Sequence, residues 1–143
     1  MNKKSVLGGI ILGAIVTLFI IEYLSLNIQI LHNIGIVKSN IGVYWNYAGT
    51  NETKEINWGT LTPGSEKTVV VFIENAKNTS MYASLQTSNW NPIQASSYLS
   101  LSWNSSSVIS PNAIVPVSFT LQVREDIIGI TNFSFDIIIT GEW

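Results

Sequence analysis

The chain of 143 residues has no cysteine, one histidine, four prolines and only 11 % charged residues. Each shortage excludes something. Without cysteine there is no disulfide framework, no thiol nucleophile and no thiolate metal site. The single histidine, His32, rules out a histidine-based metal cluster, and no acid or nucleophile lies close to it along the chain. Seven Lys and Arg against nine Asp and Glu leave a net charge of -2, so the basic stripe that nucleic-acid binding needs is missing. Gly-rich phosphate loops, nucleophile elbows, zinc spacings and D-x-D-x-D-G calcium loops are also absent from the sequence. The adjacent acids Glu125 and Asp126, and Glu52 and Glu55 around a turn, read as solvated loop residues. These patterns identify no catalytic, cofactor-binding or metal-ligating residue, and the chain reads as a non-enzyme.

What is present divides into an amino-terminal segment and a β-patterned remainder. Lys3 and Lys4 precede residues 5–21, which carry no charge, and after Glu22 the apolar character resumes with Tyr23, Leu24 and Leu26. Residues 5–26 as a helix would span about 33 Å at roughly 1.5 Å per residue, against a hydrocarbon core of about 30 Å. The segment 1–31 is therefore expected to be a membrane anchor. The two lysines place the amino terminus in the cytoplasm and residues 32–143 outside, which makes membrane lipid a partner and the cell membrane the location. A cleaved signal peptide is the competing reading, but no small-x-small cleavage triplet follows the apolar run closely. Gly9 and Gly13 form a G-x-x-x-G that would suit close helix pairing.

From Ile36 the period changes to two. Ile41, Val43 and Trp45 alternate with Gly42, Tyr44 and Asn46, as do Met81, Ala83 and Leu85 with Tyr82, Ser84 and Gln86, and Leu99, Leu101 and Trp103 with Tyr98, Ser100 and Ser102. Val69, Val71 and Ile73 alternate with the mixed set Thr68, Val70, Phe72 and Glu74, which suggests partial cover on both faces. The longest examples are Val115, Val117, Phe119, Leu121 and Val123, and Phe133, Phe135, Ile137 and Ile139. Each predicts a strand with one buried face. A further strand around Ile56 and Trp58 completes an all-β, immunoglobulin-like β-sandwich of about seven strands, preceded by one transmembrane helix. Pro116 predicts an edge or a bulge, because proline cannot donate to a ladder. Trp58-Gly59, Leu61 and Pro63-Gly64 predict a strand end, a core residue and a reversal, together a hairpin device.

"WGTLTPGSEKTVVVFIENAKNTS" followed by "LQTSNW" is similar to the pattern of CARDB-like and related immunoglobulin-like modules. With "LSLSW" and "GITNFSFDIIITGEW", the layout from Ile41 to Trp143 resembles membrane-anchored surface proteins of archaea. A more distant likeness is to archaeal thread and TasA-type filament subunits, in which a segment after the signal inserts as a strand into the next subunit. "LSLNIQI", residues 24–30, alternates well enough for that part. The resemblance implies an extracellular structural or interaction module, with a protein partner or self-association at the cell surface, and no catalytic residues.

N-x-S/T sequons occur at Asn51, Asn78, Asn104 and Asn132, in or beside turns, and are candidate N-glycosylation sites of an exported domain. Among five tryptophans, Trp45 and Trp103 are expected on buried faces, Trp58 beside a turn and Trp143 at the terminus, leaving Trp90 as the candidate for stacking on a glycan. The function expected is a membrane-anchored surface structural or interaction module without enzymatic activity. The alternatives are a secreted filament subunit assembled by strand donation and a glycan-binding module.

Overall fold

The computed structural model describes residues 31–105 and 108–143. Among them nine strands run in chain order: β1 (Leu31–Ser39), β2 (Gly42–Tyr44), β3 (Glu55–Leu61), β4 (Glu66–Glu74), β5 (Met81–Asn91), β6 (Leu99–Trp103), β7 (Val108–Ile109), β8 (Ile114–Val123) and β9 (Asn132–Glu142). A single 3-10 turn, Ile93–Ser97, joins β5 to β6. The odd strands form one sheet in the order β3-β1-β9-β5-β7, and the even strands form the other in the order β2-β4-β8-β6. Every connection therefore crosses from one sheet to the other. The result is an all-β, two-sheet fold compatible with an immunoglobulin-like sandwich.

Alternation explains the layers. Along β8, Val117, Phe119, Leu121 and Val123 are buried while Gln122 is exposed and Ser118 and Thr120 are half-buried. Along β9, Phe133, Phe135, Ile137 and Ile139 face the same interior. Each such side chain contributes about 1.5–3 kcal/mol by leaving water. The largest buried side chain is Trp58, fully enclosed, with Phe119 and Phe135 next in volume.

Several expectations are corrected. No helix among the described residues is long and apolar enough to cross a membrane. The stretch on which the anchor rested, residues 5–26, lies outside the described residues, as do Lys3, Lys4, Gly9, Gly13 and residues 24–30. Leu31, the last residue of the expected segment 1–31, lies in β1 opposite Leu61. The single-span topology, the lipid partner and the cell-membrane location are accordingly not carried forward. Trp45 is 37 % exposed, since β2 ends at Tyr44 and the chain bends before the alternation can continue. Trp103 is only half-buried, stacked on Phe119 with ring centroids 6.0 Å apart.

The turn before β4 is not a hairpin. Ser65 N donates to Thr62 O at 3.1 Å, with Pro63 second and Gly64 third at φ +77°, the arrangement of a type II turn. It carries the chain from β3 in one sheet to β4 in the other, and Leu61 drops into the core beneath it. Pro116 lies in β8, a central strand rather than an edge. β8 pairs with β4 along its length but with β6 only from Phe119 to Val123. The Ser118 backbone faces the β6 side through its bonds with Asn104, so the Pro116 nitrogen two residues earlier faces that side too, beyond the end of β6. The missing donor is tolerated because no ladder bond is due there.

Candidate functional site

The feature that distinguishes this sandwich is the position of β1. It pairs antiparallel with β3, from Leu31 opposite Leu61 to Ile36 opposite Glu55. On its other side it pairs parallel with β9, from His32 opposite Asn132 to Ser39 opposite Ile139. The most amino-terminal strand described thus fills a slot between two others, and only residues 40–41 link it to β2 in the opposite sheet.

Its faces are inverted relative to β8. Asn33 and Gly35 point inward and are buried, while Ile34 and Ile36 point outward at 42 % and 44 % exposure. The interior at this place is filled from across the strand pair by Trp58. Gly59, at φ +66°, forms a bulge in β3 where the register slips between Asn33 and Ile34, and Asn57 Oδ1 accepts from Gly59 N at 2.8 Å. The bulge keeps Trp58 turned into the core beside Gly35. A Cβ on Gly35 would come within 2.6 Å of Ile137 Cδ1 and 3.0 Å of Trp58 Nε1, so any larger residue would have to displace its neighbours. The Trp58 Nε1 has no hydrogen-bond partner among the described residues.

On the outer face, β1 is latched by Asp136. This carboxylate is 4 % exposed, and its Oδ2 accepts from Lys38 Nζ at 2.5 Å and Asn89 Nδ2 at 2.6 Å. The Lys38 hydrogen bond, followed by that of Asn89, holds the carboxyl below the usual carboxylate range against the opposing effect of burial. Asn89 reaches it because β5 bulges between Ser88 and Asn91, with Asn89 at φ +51°. At the hinge, the Asn40 side chain completes the ladder: its Nδ2 donates to Gly141 O at 3.0 Å and its Oδ1 accepts from Gly141 N at 2.8 Å. Ile41 packs directly over Gly141, where a Cβ would meet Ile41 Cγ2 and Met81 Sδ.

The sites expected from sequence lie elsewhere and are not brought together. Asn78, Thr79 and Ser80 are all exposed in the loop after β4. Asn51 is exposed, but Thr53 of its sequon is 3 % exposed. Asn104 Oδ1 accepts from Ser118 N at 2.7 Å, and Asn132 opens β9 with the buried Phe133 after it. Trp90 sits in β5 rather than a loop, stacked on Phe135 at 4.1 Å with 8° between planes, and its Nε1 donates to Thr87 Oγ1. One indole face is therefore covered by protein. Arg124 engages Asp126, Lys54 lies 3.8 Å from Glu52, and Glu125 is exposed. No group of three or more potential metal ligands occurs among the described residues. The backbone of His32 lies in β1.

Sequence reasoning missed Asn33, Gly35, Trp58 as a core residue, and Asp136. A signal existed for β1: the pattern Asn33, Ile34, Gly35, Ile36 alternates, but with the small and polar members inside. No family model matches the chain, and no curated protein matches it. The resemblance to CARDB-like modules and to anchored archaeal surface proteins is corrected accordingly: it rested on turn residues such as Pro63-Gly64, which any sandwich can use.

Proposed function

We propose that the protein is a self-assembling structural subunit that joins copies by strand exchange, β1 of one copy filling the slot between β3 and β9 of the next. The single observation that carries this reading is the place of β1: terminal among the described strands, central in its sheet and tethered by two residues. An empty slot would leave two long strands with unpaired backbone on facing edges, which is costly and prone to association. Something must fill it. A β1 from the same chain and one from another chain make the same contacts inside the slot, so the choice depends on hinge strain and concentration. Donation in one direction is a heterologous contact, which extends into a filament unless the rotation closes a ring.

The test exploits the absence of cysteine. Ile34 and Ser134 face each other in register on the outer face of the sheet. A full-length Ile34→Cys/Ser134→Cys variant, oxidised at increasing protein concentration, is expected to give a ladder of disulfide-linked multimers on a non-reducing gel. Monomers with an intrachain bridge at every concentration would defeat the reading, and a single dimer band would replace the filament by a closed exchange.

A further inference from the structure

We infer that Gly35 is the register key of β1, the position that lets the strand enter the slot in one alignment only. This rests on the strand-exchange reading above and adds to it which part of a donor strand is recognised. The recognising surface is the notch formed by Trp58 and Ile137. Both residues are fully buried, so a shift of either must be made inside a packed core, and the ideal Cβ of any other residue would overlap the Ile137 Cδ1 and press on the indole edge.

Consider the alternative alignments. A slip of one residue reverses the faces and drives Ile34 or Ile36 into the notch. A slip of two residues preserves the faces but brings Asn33 or Val37 against Trp58 and Ile137. Each places a side chain where a Cβ already overlaps Ile137 Cδ1. The buried Asn33, two residues before Gly35, restricts the fit further, since a slip would transfer its amide to a different part of the interior. Ile34 and Ile36 discriminate weakly, being alike and half out in solvent, and the backbone ladder is indifferent to side chains. The Lys38 bond to Asp136 favours the same alignment from a half-solvated lysine without sterically forbidding another.

The test separates donor from acceptor. Full-length Ser134→Cys serves as acceptor, and full-length Ile34→Cys or Ile36→Cys as donor, mixed under oxidising conditions. In the native register position 34 of the donor lies opposite position 134 of the acceptor. Position 36 meets it only after a two-residue slip, because diagonal neighbours of a sheet exceed the roughly 7 Å Cα separation that a disulfide can bridge. The expected result is an interchain disulfide with the Ile34→Cys donor and at least tenfold less with Ile36→Cys. Adding Gly35→Val to the Ile34→Cys donor should lower the yield tenfold or more, whereas adding Ile36→Thr, on the exposed face, should leave it unchanged. Equal yields from Ile34→Cys and Ile36→Cys would overturn the register key and leave strand exchange standing, and this comparison does not depend on how the Gly35 variant folds. An undiminished yield with Gly35→Val would overturn it as well. No interchain disulfide from any donor would overturn strand exchange, and the register key with it.

Discussion

Strands β8 and β1 each lie between two hydrogen-bonded neighbours, yet their faces are built in opposite ways. β8 sends Val117, Phe119, Leu121 and Val123 inward, filling the space between the sheets from its own side. β1 sends Asn33 and Gly35 inward and lets Trp58 of β3 fill the space in its place. The difference teaches that a strand's hydrophobic face is decided jointly with the volume opposite it. A strand that holds its place by its own apolar bulk is difficult to remove. One that holds its place by fitting a notch can leave and be replaced by an identical strand.

The largest expected effect tests the β8 half of that comparison. Phe119→Ala removes a fully buried ring that also supports Trp103, and should cost about 3–5 kcal/mol in denaturant unfolding. A loss below about 1 kcal/mol would mean that β8 is no more anchored by bulk than β1.

Next in size is the β1 half. Gly35→Ala inserts a methyl group where Ile137 and Trp58 already touch, an overpacking expected to cost about 1–3 kcal/mol. Ile137→Val removes the Cδ1 that the methyl would meet at 2.6 Å. The double variant should therefore be more stable than the sum of the two single losses predicts, and additive behaviour would show that the notch is not where the strain arises.

How much of this was open to reading from the sequence depends on which strand is asked. β8 and β9 declare themselves, because their apolar sides are long and unbroken and Leu61 sits where a turn covers a core. β1 does not. Its buried inward residues Asn33 and Gly35 are ones that hydropathy assigns to solvent, and it follows an apolar stretch that invites a helical reading. Trp45 misled for the opposite reason: its alternation with Val43 is correct, but β2 stops before it. The latch was equally hidden. Asp136 alternates outward as an acid should, and nothing local reveals that a bulge 47 positions earlier brings Asn89 over it or that a parallel strand supplies Lys38. Parallel pairing between strands far apart in sequence and bulge-directed side chains are long-range facts, which periodicity does not encode.

Acid should loosen β1 before it affects β8. The folded Asp136 carboxyl lies below its ordinary range, so the unfolded chain binds its proton more readily than the folded one does. The stabilisation is fully present above the ordinary carboxylate range, declines from about pH 5 downward and is lost as pH falls through the lowered folded value. The groups around it are Lys38 from β1, Ser88 and Asn89 from β5, and Glu55 of β3 across Ile36. Lys38 is 57 % exposed, which limits the contribution to about 1 kcal/mol. Unfolding midpoints of wild type and Asp136→Asn should therefore converge as pH falls from 6 toward 3. Parallel curves would remove Asp136 as the latch.

The smallest effect is the most pointed, because it concerns the side of β1 that looks most like a core. Ile34 and Ile36 are apolar and β-branched, and by composition alone they would be placed inside. In the fold Ile36 stands between Glu55 and Asp136 with 44 % of its surface in water. Ile36→Thr retains the branched Cβ that suits a strand and exchanges only a partly solvated ethyl group for a hydroxyl, so stability should change by less than about 0.5 kcal/mol. A buried isoleucine treated in this way would lose several times as much, since its hydroxyl would need a partner. A loss of about 2 kcal/mol or more at Ile36, with Gly35→Ala tolerated, would turn β1 over, make it a second β8, and remove the notch on which selective exchange depends.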